Sequence, residues 1–135
     1  MVKFKRIDHV VMATEDLADA AAKWERNLGL RVEEQVSRPS GAGFDVARLP
    51  VGDAFVELVQ PLDGEGRFAQ QLKERGEGFF SMSIEVDDLA GAVSYLRSKG
   101  AEVSDPESGI WPGSRVARVS QSSTHGVSLQ LIERR

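Results

Sequence analysis

Four polar residues interrupt otherwise apolar, strand-like runs of the sequence, namely His9, Glu57, Ser81 and Gln130. A polar side chain that faces inward from such a run costs on the order of 1–3 kcal/mol unless it finds a partner. We therefore expect these side chains to converge. An imidazole, a carboxylate and an amide oxygen, with a hydroxyl beside them, form a hard or borderline ligand set that suits Mg, Mn, Fe, Co, Ni or Zn.

Each of these residues also has an ordinary structural interpretation. A lone histidine in a strand is more often hydrogen-bonded in a core than bound to a metal. Glu57 and Gln130 alternate with apolar neighbours, as residues on the solvated face of a sheet do. Ser81 and Ser83 are poor ligands for a hard cation and also suit small residues that line a cleft. Both interpretations stay open at the level of the residues alone.

Composition narrows the possible chemistry. The chain has 135 residues, 41% of them hydrophobic, which predicts a single domain with its own core. It contains no cysteine, which excludes thiolate nucleophiles, disulfides and cysteine-type metal sites. Its 17 Lys+Arg against 21 Asp+Glu give a net charge of −4, and no dense basic stripe is present, which disfavours nucleic acid as a partner. We expect the terminal Arg134-Arg135 pair to be solvated.

No apolar run approaches the ~20 residues that span a bilayer, and the N-terminal segment lacks the apolar stretch of a secretion signal. We therefore predict a cytoplasmic protein that does not enter a membrane and whose partner is a small molecule.

The elements that would position the polar residues occur twice along the chain. Hydrophobic periodicity predicts a strand over 7–12, a helix near 15–28 with Thr14 at its cap and Gly29 at its end, and strands near 30–37, 43–49 and 54–60. It then predicts a strand near 79–86, a helix near 88–98, and strands near 115–120 and 127–132. A helical linker separates the two series.

Local identities support a duplication. Shifts of 72, 70 and 73 residues, respectively, align Asp16-Leu17-Ala18 with Asp88-Leu89-Ala90, Val46-Ala47-Arg48 with Val116-Ala117-Arg118, and Glu57 with Gln130. We predict one α+β domain over 1–135, built from two βαβββ modules at about 4–60 and about 78–133 with a linker helix at about 61–77. Paired modules would form a half-open mixed β-barrel around a central cleft, lined by residues that include Val11, Phe79, Ser81, Ser83 and Trp111.

Several short stretches resemble the vicinal oxygen chelate superfamily of glyoxalase-like and bleomycin-resistance-like proteins, and within it the methylmalonyl-CoA epimerase group. They are Ile7-Asp8-His9-Val10-Val11, Leu49-Pro50-Val51-Gly52-Asp53, Val56-Glu57-Leu58-Val59-Gln60-Pro61, Arg75-Gly76-Glu77-Gly78, Ile84-Glu85-Val86-Asp87-Asp88 and Ser123-Thr124-His125-Gly126-Val127. The resemblance implies a glyoxalase-like fold, a divalent metal ion and a homodimer.

The resemblance also assigns individual residues. His9 and Glu57 match metal ligands of the epimerase pattern, and Gln130 takes the place of its terminal glutamate ligand. Where that pattern has Gly-x-His-His, this chain has Gly78-Phe79-Phe80-Ser81, so Ser81 stands at the position of a ligand histidine. A proton-transferring glutamate of the pattern aligns with Gly41. These departures predict a metal that is bound weakly or not at all.

Two functional hypotheses follow. In the first, the chain is a metal-assisted isomerase or lyase that acts next to a carbonyl, with His9, Glu57 and Gln130 as ligands and Glu57 as the catalytic residue. In the second, it is a metal-free protein of the bleomycin-resistance type that binds a small molecule. The retention of His9 and Glu57 within apolar strands favours the enzyme, because an apolar binding pocket has no need of them.

Overall fold

Residues 2–135 are described by a computed structural model, in which the two predicted series of elements are present. The elements, in chain order, are β1 (Phe4–Ala13), α1 (Leu17–Leu28), β2 (Glu34–Ser37), β3 (Phe44–Val51), β4 (Ala54–Pro61), α2 (Gly66–Glu74), β5 (Gly78–Val86), α3 (Leu89–Ser98), β6 (Glu107–Ser108), β7 (Ser114–Val119) and β8 (Leu129–Arg134). Strand β6 has two residues, too few to produce a hydrophobic period, which is why the sequence pattern did not predict it.

The chain divides into two units. We call His9–Phe80 the central unit, and the chain up to Asp8 together with Ser81–Arg135 the terminal unit. Strand β1 therefore contributes its first half to the terminal unit and its second half to the central unit.

In the central unit the strands are ordered β2-β3-β4-β1. The β1–β4 pair is parallel, and the other two pairs are antiparallel. Helix α1 covers one face of these strands, where it forms a buried cluster made of Leu17, Ala21, Ala47, Leu49, Val56 and Leu58. Since side chains alternate along a strand, the neighbouring positions face away from α1. His9, Val11 and Glu57 lie on that opposite face.

Helix α1 begins two residues later than the capping prediction implied. Its N-cap is Asp16, whose side chain accepts a hydrogen bond from the backbone N–H of Asp19. Thr14 does not cap the helix. Its hydroxyl instead donates to the carbonyl of Val59 at 3.0 Å, so it joins β1 to β4. Gly29 ends the helix with φ 75°, a left-handed conformation that glycine adopts without strain, as predicted.

In the terminal unit the order is β5-β8-β7-β6, with β5 and β8 parallel and the remaining pairs antiparallel. Helix α3 packs against one face through a cluster made of Val86, Leu89, Ala92, Val93, Val103, Ala117, Val119 and Leu131. Its N-cap is Asp88, which accepts from the N–H of Gly91 as Asp16 accepts from that of Asp19. The aligned residues of the two series thus have the same structural role.

Strand register repeats as well. Glu57 on β4 lies opposite Val11 on one side and Arg48 on the other. Gln130 on β8 has the equivalent neighbours, Ser83 and Arg118. The duplication inferred from short identities therefore extends to the pairing of individual residues.

Helix α2 occupies the predicted linker and is tied to the strand that follows it. The buried Gln71 side chain donates through Nε2 to the carbonyls of Gly78 and Phe79, both at 3.2 Å. Its Oε1 accepts from Arg75 at 2.8 Å. None of the helices within residues 2–135 is long and apolar enough to cross a membrane.

Candidate active site

A buried pair of ionisable side chains lies in the central unit, on the face away from α1. His9 Nε2 and Glu57 Oε2 are 3.7 Å apart, and their side chains are only 3% and 5% exposed. Strands β1 and β4 place them there, because His9 lies opposite Phe55 and Glu57 lies two residues further along the same strand. Burial of two such groups costs several kcal/mol that an apolar pair would not incur, which makes this position the candidate site.

The ring of Phe55 positions the imidazole. The two ring centroids are 4.5 Å apart with an angle of 12° between the planes, so the rings are stacked. On the strand that flanks β4 on its other side, Arg48 places its guanidinium carbon 4.7 Å from the centroid of the same Phe55 ring. An aromatic ring attracts a cation over its face. The His9 ring is thus held by packing in addition to its contact with Glu57.

A second polar pair, Ser83 and Gln130, lies in the terminal unit at the register positions that correspond to Val11 and Glu57. Gln130 Nε2 donates to Ser83 Oγ at 3.0 Å, and Ser83 is fully buried. This bond commits the amide nitrogen of Gln130, so its Oε1 is the atom with which Gln130 would ligate a cation. Both side chains are neutral, in contrast to the pair in the central unit.

The other predicted site residues occupy different environments within their units. Val11 is buried beside Glu57 in the register of β1 and β4. Ser81 is buried on β5, whereas Phe79 on the same strand is 47% exposed. Trp111 is buried, and its carbonyl accepts from the hydroxyl of Ser114. The assignment of these residues as lining a shared cleft stays a prediction.

The His9 and Glu57 donors fit a divalent cation in spacing. Two metal–ligand bonds of about 2.1 Å subtend roughly 120° when their donor atoms are 3.7 Å apart, an angle near the tetrahedral value. The number of donors is small, however. Across residues 2–135, no group of three or more His, Cys, Asp or Glu side chains is placed to hold a metal ion. The pair therefore fits a weakly held ion whose remaining ligands are amide, water or substrate oxygens.

A charge network in the terminal unit was missed by the sequence analysis. Asp8 is completely buried and accepts two hydrogen bonds from Arg134, from Nε and from Nη2, each at 2.8 Å. Arg6 Nη2 donates to Asp8 at 3.0 Å, and Arg6 Nε donates to Glu85 at 2.9 Å. The expectation of a solvated Arg134 was wrong, because its guanidinium pairs with the buried Asp8. The sequence did not reveal this pairing, since 126 residues separate the two partners. The available signal was an aspartate within an apolar strand.

An exposed ion pair joins the loop after β2 to the end of β4. Arg38 has φ 49°, and its Nη2 donates to Asp63 Oδ1 at 3.0 Å. This hydrogen bond, reinforced by charge attraction, lowers the pKa of the Asp63 carboxyl and raises the pKa of Arg38. The loop includes Gly41, which the sequence analysis aligned with a glutamate of the epimerase pattern; this alignment stays a prediction. No ionisable side chain stands there in this chain.

Comparison with known proteins identifies the family. Residues 8–117 match the model of the glyoxalase/bleomycin resistance protein/dioxygenase superfamily. The chain belongs to this superfamily. In structure it is similar to methylmalonyl-CoA epimerase from Mycobacterium tuberculosis, with a TM-score of 0.88 and 27% identity over 98% of this chain and 89% of that one. The predicted superfamily and the glyoxalase-like α+β fold are confirmed.

Two curated relatives within the superfamily are mitochondrial methylmalonyl-CoA epimerases. The chain is 32% identical to the protein of Bos taurus over 128 residues, which cover 93% of this chain and 73% of that protein. It is 36% identical to the protein of Homo sapiens over 95 residues, which cover 70% of this chain and 53% of the human protein. The chain is thus related to methylmalonyl-CoA epimerases, although the match spans only about half of the human protein's length.

Proposed function

We propose that this chain is an isomerase that moves a proton at the carbon next to the thioester carbonyl of an acyl-CoA, as the names of its relatives indicate for those proteins. The observation that carries the proposal is the buried His9–Glu57 pair. A carboxylate beside an imidazole is an acid–base combination suited to proton transfer, and its burial in strands is difficult to explain by stability alone.

The chemistry assigns a role to each side chain. Glu57 accepts the proton as the C–H bond breaks and its electrons move into the thioester, which becomes an enolate. His9 donates a hydrogen bond toward the developing negative charge. Glu57 then releases its proton to solvent, and the planar carbon takes a proton from water on its opposite face, which inverts the configuration. Each of the two interactions lowers the barrier by several kcal/mol in enzymes of this kind.

A divalent metal ion is part of the proposal. His9 and Glu57 would hold it, and when bound it supplies an electrophile that polarises the carbonyl. Glu57 would then be a ligand and could no longer serve as a free base, so the metal requirement decides which role it has. The role of Gln130 as a further ligand stays a prediction, as do the cytoplasmic location and the homodimer.

The test is exchange of the substrate's α-proton with D2O, followed by NMR, with methylmalonyl-CoA as substrate. We expect exchange with the wild type and a loss of at least 100-fold with His9→Ala and with Glu57→Gln. Lys23→Gln, an exposed change on α1, is the matched control and retains full exchange. Wild-type protein that binds the thioester without exchanging its proton would refute the proposal.

Metal dependence is measured on the same proteins. Calorimetric titration with Mn, Co and Ni should detect binding to the wild type and weaker binding to His9→Ala. Exchange that persists in the presence of chelator, with no metal binding tighter than millimolar, would assign Glu57 the role of base and remove the metal from the proposal.

A second candidate function is binding of a small molecule without catalysis. An aromatic cluster in the central unit favours it. Phe68 meets Phe44 edge to face at 5.1 Å between centroids and Phe80 at 4.5 Å. Aromatic side chains of this kind provide apolar contact area for a ligand. The exchange experiment separates the candidates, because a binding protein would retain the thioester and leave its α-proton in place.

A further inference from the structure

Arg48 lies beside the His9–Glu57 pair and has no role in the chemistry described above. Its position on β3 is directly opposite Glu57 on β4, so the two side chains leave the sheet on the same face. Because β4 lies between β1 and β3, the ring of Phe55 is approached by His9 from one neighbouring strand and by Arg48 from the other.

The Arg48 side chain is both anchored and reachable from solvent. Its Nε donates to Glu33 Oε1 at 3.0 Å, and the guanidinium lies over Phe55. The side chain is nevertheless 27% exposed, whereas those of His9 and Glu57 are almost completely buried. A guanidinium carries five N–H donors in a rigid fork that matches the two oxygens of a carboxylate or phosphate. The anchoring through Nε fixes the direction of that fork.

The repeat shows the same arrangement at the equivalent position. Arg118 on β7 lies opposite Gln130 and pairs with Glu107 at 3.1 Å. In both series an arginine thus stands across the strand pair from a candidate ligand and is held by a glutamate. A solvated surface arginine requires neither feature. Arg48 differs from Arg118 in two respects. The residue opposite it on the adjacent strand, Glu57, is ionisable. Its guanidinium also lies over the ring of Phe55, which is stacked on His9.

We propose that Arg48 is a specificity-determining residue, whose guanidinium binds an oxyanion group of the molecule on which His9 and Glu57 act. The inference rests on the proposed function for the identity of that molecule, an acyl thioester. Two groups of such a molecule have the required chemistry, a carboxylate on the acyl part and a phosphate of the CoA part. Charge-assisted, bidentate pairing with arginine recognises either of them.

The test measures binding of three probes by calorimetry. Methylmalonyl-CoA carries both the carboxylate and the phosphates, propionyl-CoA carries only the phosphates, and methylmalonyl-pantetheine carries only the carboxylate. We expect Arg48→Gln to weaken methylmalonyl-CoA roughly 10- to 100-fold, as loss of a charged hydrogen-bond pair does. Arg48→Lys keeps the charge without the fork and should fall between Arg48→Gln and the wild type.

The other two probes identify the group that is bound. If Arg48 binds the carboxylate, Arg48→Gln weakens methylmalonyl-pantetheine and leaves propionyl-CoA unchanged. If it binds a phosphate, the pattern is reversed. Arg26→Gln is the control for net charge, since Arg26 is exposed in the last turn of α1, and it should bind all three probes like the wild type.

A further variant tests the inference without replacing Arg48, so its result does not depend on whether Arg48→Gln folds. Glu33→Gln removes the negative charge beside the guanidinium but keeps a side-chain oxygen that can accept from Arg48 Nε, so the fork stays anchored. Methylmalonyl-CoA should therefore bind this variant as tightly as the wild type or a few-fold tighter. Unchanged affinities of Arg48→Gln for all three probes would overturn the inference. A wild type that binds none of the probes, or a Glu33→Gln protein that binds methylmalonyl-CoA more weakly than the wild type, would overturn it as well. Wild-type binding that depends on Arg48 but is accompanied by no α-proton exchange would refute the proposed function alone.

Discussion

The buried Asp8–Arg134 pair provides the sharpest test of the structure, through the variant Arg134→Met. Asp8 is fully buried and receives both hydrogen bonds that Arg134 donates to it. Removal of one partner from a buried ion pair costs about 3–5 kcal/mol, because the other charge is left without compensation. We take the lower end, about 3 kcal/mol, since Arg134 is 26% exposed and Arg6 still contacts Asp8 in the variant.

Urea unfolding measures this change. With a denaturant slope of about 2 kcal/mol/M, a loss of about 3 kcal/mol lowers the midpoint by roughly 1.5 M. The neighbouring residue supplies the control, because Arg135 is 68% exposed and meets Glu133 only at 3.4 Å. Arg135→Met should change the free energy of unfolding by less than about 0.5 kcal/mol.

A double-mutant cycle with Asp8→Asn isolates the interaction. Residues that share a hydrogen-bonded ion pair typically couple by about 0.5–3 kcal/mol, and this bidentate pair should lie in the upper half of that range. Equal losses for Arg134→Met and Arg135→Met, or a cycle without coupling, would show that the buried network does not stabilise the fold.

Two further predictions concern the central unit. Gln71→Leu removes the amide that satisfies two backbone carbonyls of β5 and should lower the free energy of unfolding, measured in urea, by about 1–3 kcal/mol. The exposed Gln70→Leu should leave that free energy nearly unchanged. A loss of stability in Gln70→Leu but not in Gln71→Leu would contradict the contacts described. Arg38→Met should raise the pKa of the Asp63 carboxyl toward its ordinary value, because the hydrogen bond and the charge of Arg38 are lost; NMR titration follows this change. Because the folded-state pKa of Asp63 is lowered, the stability that this pair contributes is present above pH ~4 and is lost as pH falls through the folded-state pKa. An Asp63 titration that is the same in the wild type and in Arg38→Met would contradict the ion pair.

The fold was largely predictable because its signals are local. Helix α1 is encoded by apolar spacing and by the closing Gly29, and the linker helix α2 by a short amphipathic stretch. The cap at Asp16 was misassigned to Thr14 because both residue types cap helices well. Only the tertiary contact of the Thr14 hydroxyl with the carbonyl of Val59 distinguishes them, and a single sequence contains no trace of such a contact.

The candidate site was only partly predictable from the sequence. His9 and Glu57 were found because a polar residue within an apolar strand is costly, and that cost can be read from the sequence. Asp8 carries the same signal but was not singled out, and its partner Arg134 lies at the far end of the chain. Arg48 gave no signal at all, because an arginine on a strand is ordinary until the register places it opposite Glu57.

The two series place different side chains at the register position of Glu57. The two series repeat the register, so that Val11 faces Glu57 where Ser83 faces Gln130. The same register therefore carries a carboxylate at Glu57 in one unit and a neutral amide at Gln130 in the other. A neutral hydroxyl–amide pair can donate and accept hydrogen bonds but is a poor proton acceptor at neutral pH. Under the proposed function, proton transfer therefore depends on the carboxylate of the central unit.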